Sequence, residues 1–255
     1  MTSPIAAIAR LTVLECRGAR CLAAVLGLVL CALVGAASAA ALALAGKAEF
    51  FATFYASIFR PGGVTLLAAS VAFSLSAERQ GGLLEMTLAG PVTRGQWYWG
   101  RLCGFLLLAL LLAAAGSFPV FCLASLWAAT AWSISLGAEF CVVVAAASMF
   151  ATTIRQPPLV VVAVLAFYLL ARSGEGLVLL AAASGGGSVS ADVIGGLIRV
   201  IAVLLPALGR QAQTLWFVAP PGALELARLI TEALIGALML TAIGLYDVYR
   251  RKSST

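Results

Sequence analysis

The sequence predicts an all-α membrane protein: six transmembrane helices, an amino-terminal interfacial helix and a re-entrant-like outer segment before the last span. Three observations predict it. The chain is 63% hydrophobic and 10% charged, with a mean hydropathy of +1.08, whereas a soluble domain carries about 25% charged residues. Its apolar residues fall in charge-free runs, and about 20 such residues suffice to cross a bilayer. The remaining charges gather in short stretches between those runs, which is how membrane topology is encoded. A water-soluble fold of 255 residues has too little interior to hide this much apolar surface.

The six spans are read at residues 21–46, 61–77, 102–125, 134–154, 158–171 and 227–246, within a single permease-like domain covering 1–255. The second is short, and Pro119 marks a kink near the outer end of the third. Residues 1–20 mix apolar side chains with Arg10, Glu15, Arg17 and Arg20, which suits a helix lying along the inner interface. Residues 173–225 contain the flexible run Ser184-Gly185-Gly186-Gly187-Ser188 and an apolar stretch from Ile194 to Leu208 interrupted by Arg199. A central arginine opposes a full crossing, so a segment that enters the outer leaflet and turns back is expected.

Six spans put both termini on one side. That side receives ten basic residues: Arg10, Arg17, Arg20, Arg79, Arg94, Arg101, Arg155, Arg250, Arg251 and Lys252. The other receives six: Lys47, Arg60, Arg172, Arg199, Arg210 and Arg228. The positive-inside rule then predicts cytoplasmic termini in a bacterial inner membrane. The five tryptophans, Trp97, Trp99, Trp127, Trp132 and Trp216, all fall near the interfaces of this scheme, where indoles prefer to be.

Composition also excludes chemistry. Histidine is absent, which removes imidazole bases, histidine metal sites and histidine-ligated haem. No catalytic residues and no metal site are expected, and the net charge of +6 reads as orientation, with no nucleic-acid partner. Cys16, Cys21, Cys31, Cys103, Cys122 and Cys141 include no C-x-x-C pair. They suit small packing residues in lipid or a thiolate path for a soft metal. Gly46-Lys47 lacks both flanking requirements of a Walker A loop, so this chain holds no ATPase and no cofactor.

Residues 78–101 carry the most information. A charged helix end at Glu78-Arg79 is followed by a Gly81-Gly82 break, a short helix from Leu83 to Ala89, and a Gly90-Pro91 stop. Thr93 and Gln96 have capping-box spacing. In the short helix Leu84, Thr87 and Leu88 share one side and Glu85 lies on another. Such a piece can dock in a partner's groove, or it is a plain connecting loop.

The stretch resembles the type-2 ABC exporter permease family, whose second cytoplasmic segment reads roughly E-R-x-x-G-x-L-E-x-L-L-x-x-P-V-x-R. The match falls on Glu78, Arg79, Gly82, Leu84, Glu85, Leu88, Pro91, Val92, Arg94, Gly100 and Arg101, with a departure at Thr87, where the family usually has leucine. The resemblance is motif-grade over residues 77–101 and extends in layout to the amino-terminal helix and the Tyr249-Arg250-Arg251-Lys252 tail. It implies a permease that pairs with a second copy or a paralogue. Each copy would contact a cytoplasmic ABC ATPase, which binds ATP and Mg, through Glu78, Arg79, Gly82, Leu83, Leu84, Glu85, Leu88, Pro91 and Arg94. A periplasmic accessory protein is a further partner it allows.

Charges inside the apolar runs are the other candidates. Arg228 and Glu232 are four residues apart on one helix face, and Glu139 lies about a turn into the fourth span. They form part of a gate, because buried charge in a membrane is costly, or an interfacial pair with a snorkelling arginine. Gly27, Cys31 and Gly35 make a small-xxx-small ladder suited to close helix packing, as at a dimer seam. A haem-export-type permease, an ATP-independent carrier and an assembly scaffold are the alternatives. The carrier is opposed by the lack of internal repeats.

Overall fold

In the computed structural model, helix α1 (Pro4–Cys16) precedes α2 (Ala19–Leu42), α3 (Lys47–Gln80), α4 (Arg94–Leu123), α5 (Leu126–Thr153) and α6 (Pro157–Ala183). The short α7 (Leu208–Gln211) and the long α8 (Ala223–Arg250) complete the order. The structure describes residues 4–16, 19–43, 46–81, 92–123, 125–183, 208–211 and 221–250. Among them there is no strand, and α2 to α6 and α8 are long and apolar enough to span a membrane. The protein is an all-α, multi-pass membrane protein.

Local chemistry sets the helix ends. Gly46 takes φ 64°, a left-handed conformation that costs a side-chain-bearing residue more than glycine, and α3 begins at the next residue. Ser125 caps α5 by accepting from the Ala128 N–H at 3.4 Å. Pro157 opens α6 at the position where its missing N–H costs nothing. The capping box forms: the Thr93 N–H donates to Gln96 Oε1 at 3.0 Å and the Gln96 N–H to Thr93 Oγ1 at 3.3 Å.

Several expected boundaries change. The short second span is a 34-residue helix, Lys47–Gln80, that runs through Pro61. Arg60 therefore lies inside a helix and not in an outer loop. Residues 47–60 are uncharged apart from Lys47, Glu49 and Arg60, and Arg60 finds its counter-charge within the bundle, so it need not reach water. Helix α5 begins at Leu126, eight residues before the expected 134, and α6 continues through Arg172 to Ala183. Residues 173–183 of the expected outer segment are thus helical. The apolar stretch before Leu208 lies outside the described residues. Helix α4 passes through Pro119 to Leu123.

Helix α5 is the hub, touching α3, α4, α6 and α8. Its run from Val142 to Ala147 is buried on every side, as a helix enclosed by others must be. Helix α2 packs on α3 through Ala32 and Ala36 while Leu22, Leu26, Leu30 and Val34 stay exposed, an apolar stripe that suits lipid. Helix α1 lies against α4. A Cβ added at Gly104 would stand 2.5 Å from Thr12 Cβ, and one at Gly100 would stand 2.7 Å from Ile8 Cβ. Two glycines one turn apart thus let the two backbones approach closely.

Candidate functional site

Two ion clusters lie at different levels of the bundle. The first is built by α3, α5 and α6. Glu139 stands thirteen residues from Leu126 and fourteen from Thr153, about 20 Å from either end of its helix. Its carboxylate is 0% exposed and pairs with Arg60, which is 1% exposed. Tyr168 donates its hydroxyl proton to Glu139 Oε1 at 2.8 Å, and Arg172 Nη1 donates to the Tyr168 oxygen at 2.7 Å. Arg172 also stands 3.9 Å from Glu139 Oε1. Tyr168 and Arg172 are one turn apart on α6, so both reach the same carboxylate.

Aromatic residues close the cluster. Phe51, Tyr55 and Phe59 stack down one face of α3, with ring centroids 6.3 and 5.6 Å apart. The Tyr55 hydroxyl donates to the Gly116 carbonyl of α4 at 2.8 Å. The Arg60 guanidinium lies over the Trp132 ring, 5.3 Å from its centroid, a favourable use of the ring quadrupole where water is excluded. Trp132 is fully buried, enclosed by the bundle beside this arginine. The Arg60 Nε and Nη2 atoms are buried without a hydrogen-bond partner.

The second cluster joins α1, α3 and α4. Arg101 is buried and pairs with Glu78 of α3. Its Nη1 donates to Glu15 Oε2 at 2.7 Å and to Thr12 Oγ1 at 3.0 Å, and its Nη2 donates to Glu15 Oε1 at 3.3 Å. Glu78 stands four residues before residues 82–91 and Arg101 about two turns into the helix that follows them, so the clasp ties α3 and α4, on either side of that connection, to α1. A bidentate arginine–carboxylate contact adds orientation as well as energy.

The residues singled out from sequence divide accordingly. Glu78 and Arg79 form the last turn of α3, and Arg94 is the first residue of α4. Gly82, Leu83, Leu84, Glu85, Leu88 and Pro91 lie outside the described residues. Glu139 is the centre of a buried cluster, paired with Arg60 and without solvent contact. Arg228 and Glu232 pair at 3.4 Å on α8, with the Arg228 side chain largely exposed. In the first-span ladder, Gly35 meets Ile58 of α3, Gly27 has nothing within 4 Å and Cys31 is exposed.

Sequence reasoning missed Arg60, Tyr168 and Arg172 as partners of Glu139, and Glu15 as a partner of Arg101. The aromatic spacing 51, 55, 59 running into Arg60 signalled a continuous helix, and Tyr168-x-x-x-Arg172 signalled a shared face. Gly100-x-x-x-Gly104 signalled the α1 contact. Comparison with protein-family models and with curated proteins finds no match for this chain.

Proposed function

We propose that this chain is the membrane-spanning permease subunit of an ATP-driven ABC exporter, working beside a separate cytoplasmic ATPase and a second permease copy or paralogue. The observation that carries the reading is the clasp among Glu78, Arg101 and Glu15. Two residues of the permease-like motif, one on each side of residues 82–91, meet in a buried ion pair braced by the amino-terminal helix. A loop anchored at both ends can pass a push from a docked partner into α3 and α4, where a free connector would absorb it.

Charge distribution supports an orientation with α1 on the cytoplasmic side of a bacterial inner membrane. Arg60 and Arg172 belong to a buried cluster, which leaves Lys47, Arg199, Arg210 and Arg228 against ten basic residues on the α1 side. In this reading Leu84 and Leu88 fill an apolar groove on the ATPase and Glu85 meets its basic rim.

Glu85→Arg and Leu84→Asp test this directly. The first creates a like-charge contact that costs several kcal/mol at an interface. The second strands a carboxylate without a partner. Both variants should insert normally and lose ATPase co-purification and permease-stimulated ATP turnover. Normal binding and stimulation in both would remove the basis for the assignment.

A further inference from the structure

The far cluster is unbalanced in a specific way. Among the described residues it brings two guanidiniums, Arg60 and Arg172, to one carboxylate, Glu139, with Tyr168 between them. Arg60 is 1% exposed and uses Nη1 on Glu139. Its Nε and Nη2 atoms have no partner. Those two atoms form one edge of the guanidinium, the side-on fork that fits two oxygens of a carboxylate or phosphate. A buried polar group without a partner is uncommon in native structures and asks for a missing ligand. A charged fork left empty inside a lipid-solvated bundle is especially costly.

We infer that the free edge of Arg60, in the cluster that also holds Arg172, receives the anionic headgroup of an amphiphile. Glu139 holds the guanidinium in place while the fork is empty. The aliphatic part of the ligand follows from the surroundings. Arg172 is 35% exposed, and its α6 neighbours Leu169 and Leu170 are exposed large apolar residues, so the Arg172 end of the cluster adjoins an apolar outer surface of α6. A fully water-soluble anion would have to cross that apolar surface, whereas an amphiphile leaves its tail there. That this amphiphile is an exported substrate rests on the permease reading; its binding does not.

The test needs the purified full chain in a non-ionic detergent, without any ATPase. Dodecyl phosphate is the probe, inorganic phosphate the headgroup alone, and intrinsic tryptophan fluorescence the readout, because Trp132 lies on the Arg60 guanidinium. The wild-type chain should give a saturable change with dodecyl phosphate that Trp132→Phe removes, and inorganic phosphate should bind at least about tenfold more weakly. Arg60→Gln should weaken binding by about tenfold or more, the loss expected for a charge-assisted contact. Arg60→Lys keeps the charge and loses the fork, so it should fold and still bind several-fold more weakly. Lys47→Gln, an exposed cation on the same helix, should bind as the wild type does. Should Arg60→Gln fail to fold, Arg60→Lys decides alone.

No saturable change in the wild type, or equal affinity in the wild type and Arg60→Lys, overturns the site. Equal affinity for inorganic phosphate overturns the amphiphile. Because no ATPase is present, failure here leaves the coupling experiments standing, and their failure leaves this binding standing.

Discussion

Removing Glu139 should destabilise the bundle more than removing Arg60, although the two side chains form one ion pair. Both are essentially without solvent contact. Glu139→Leu strands a guanidinium that then has no acceptor on any of its nitrogens. Breaking a buried pair from one side costs about 3–5 kcal/mol, so a loss of that size is expected. Arg60→Met leaves the carboxylate with the Tyr168 hydroxyl at 2.8 Å and Arg172 at 3.9 Å. Two remaining partners should hold its cost to about half as much. The double variant places two apolar side chains of suitable volume in contact, and such replacements are often close to neutral. Reversible unfolding of the purified protein in SDS gives the three free energies and their coupling. The order expected is Glu139→Leu worst, Arg60→Met intermediate, and the double variant better than Glu139→Leu alone. Simple addition of the two single losses would show that the pair is not coupled and refute the reasoning.

Two further outcomes follow from packing and topology. Gly104→Leu forces a side chain into Thr12, and overpacking of this kind costs about 1–3 kcal/mol; Gly27→Leu enters open space and should cost nothing in the same titration. Equal losses would refute the close α1–α4 contact. Reporter fusions at Gly186 and Ser254 should report opposite sides of the membrane, and the same side for both would overturn the six-crossing topology.

What the sequence disclosed follows the range of the interaction. The capping box at Thr93 and Gln96, the cap at Ser125 and the start of α6 at Pro157 are local, decided by residues within a few positions. The apolar runs are nearly as local, and six of them appear as six long helices. Arg60 was misplaced because its partner is 79 positions away. Nothing near Arg60 announces Glu139, and a lone arginine beside a proline reads as a loop. The role of Trp132 is hidden for the same reason, since its indole covers that arginine from another helix. Arg101 was matched to a motif, but its contact with Glu15 spans 86 positions. Gly100 and Gly104 are readable as a packing pair by their spacing; the ladder at Gly27, Cys31 and Gly35 has the same spacing, but within the chain Gly35 closely meets α3 while Gly27 and Cys31 face open space.

Helix α3 explains why the second span looked short. It contributes Arg60 to the far cluster and Glu78 to the clasp. Residues 61–77 between them carry no charge. At the helical rise that stretch is about 26 Å long, close to the thickness of a hydrocarbon core. Reading 61–77 as the span therefore found the correct uncharged length and assigned the wrong cause to its ends. At the Glu78 end the terminating charge belongs to the last turn of the helix and is captured by Arg101. At the Arg60 end the helix continues for thirteen more residues toward Lys47, stacked with Phe51, Tyr55 and Phe59. In both places a charge is tolerated because another helix supplies its counter-ion, so each end of the uncharged stretch is tied to a different part of the bundle. Pro61 removes one backbone hydrogen bond right beside Arg60. The helix is thus weakest next to the cluster, where Arg60 and Glu139 hold it to α5, and continuous from there to the clasp.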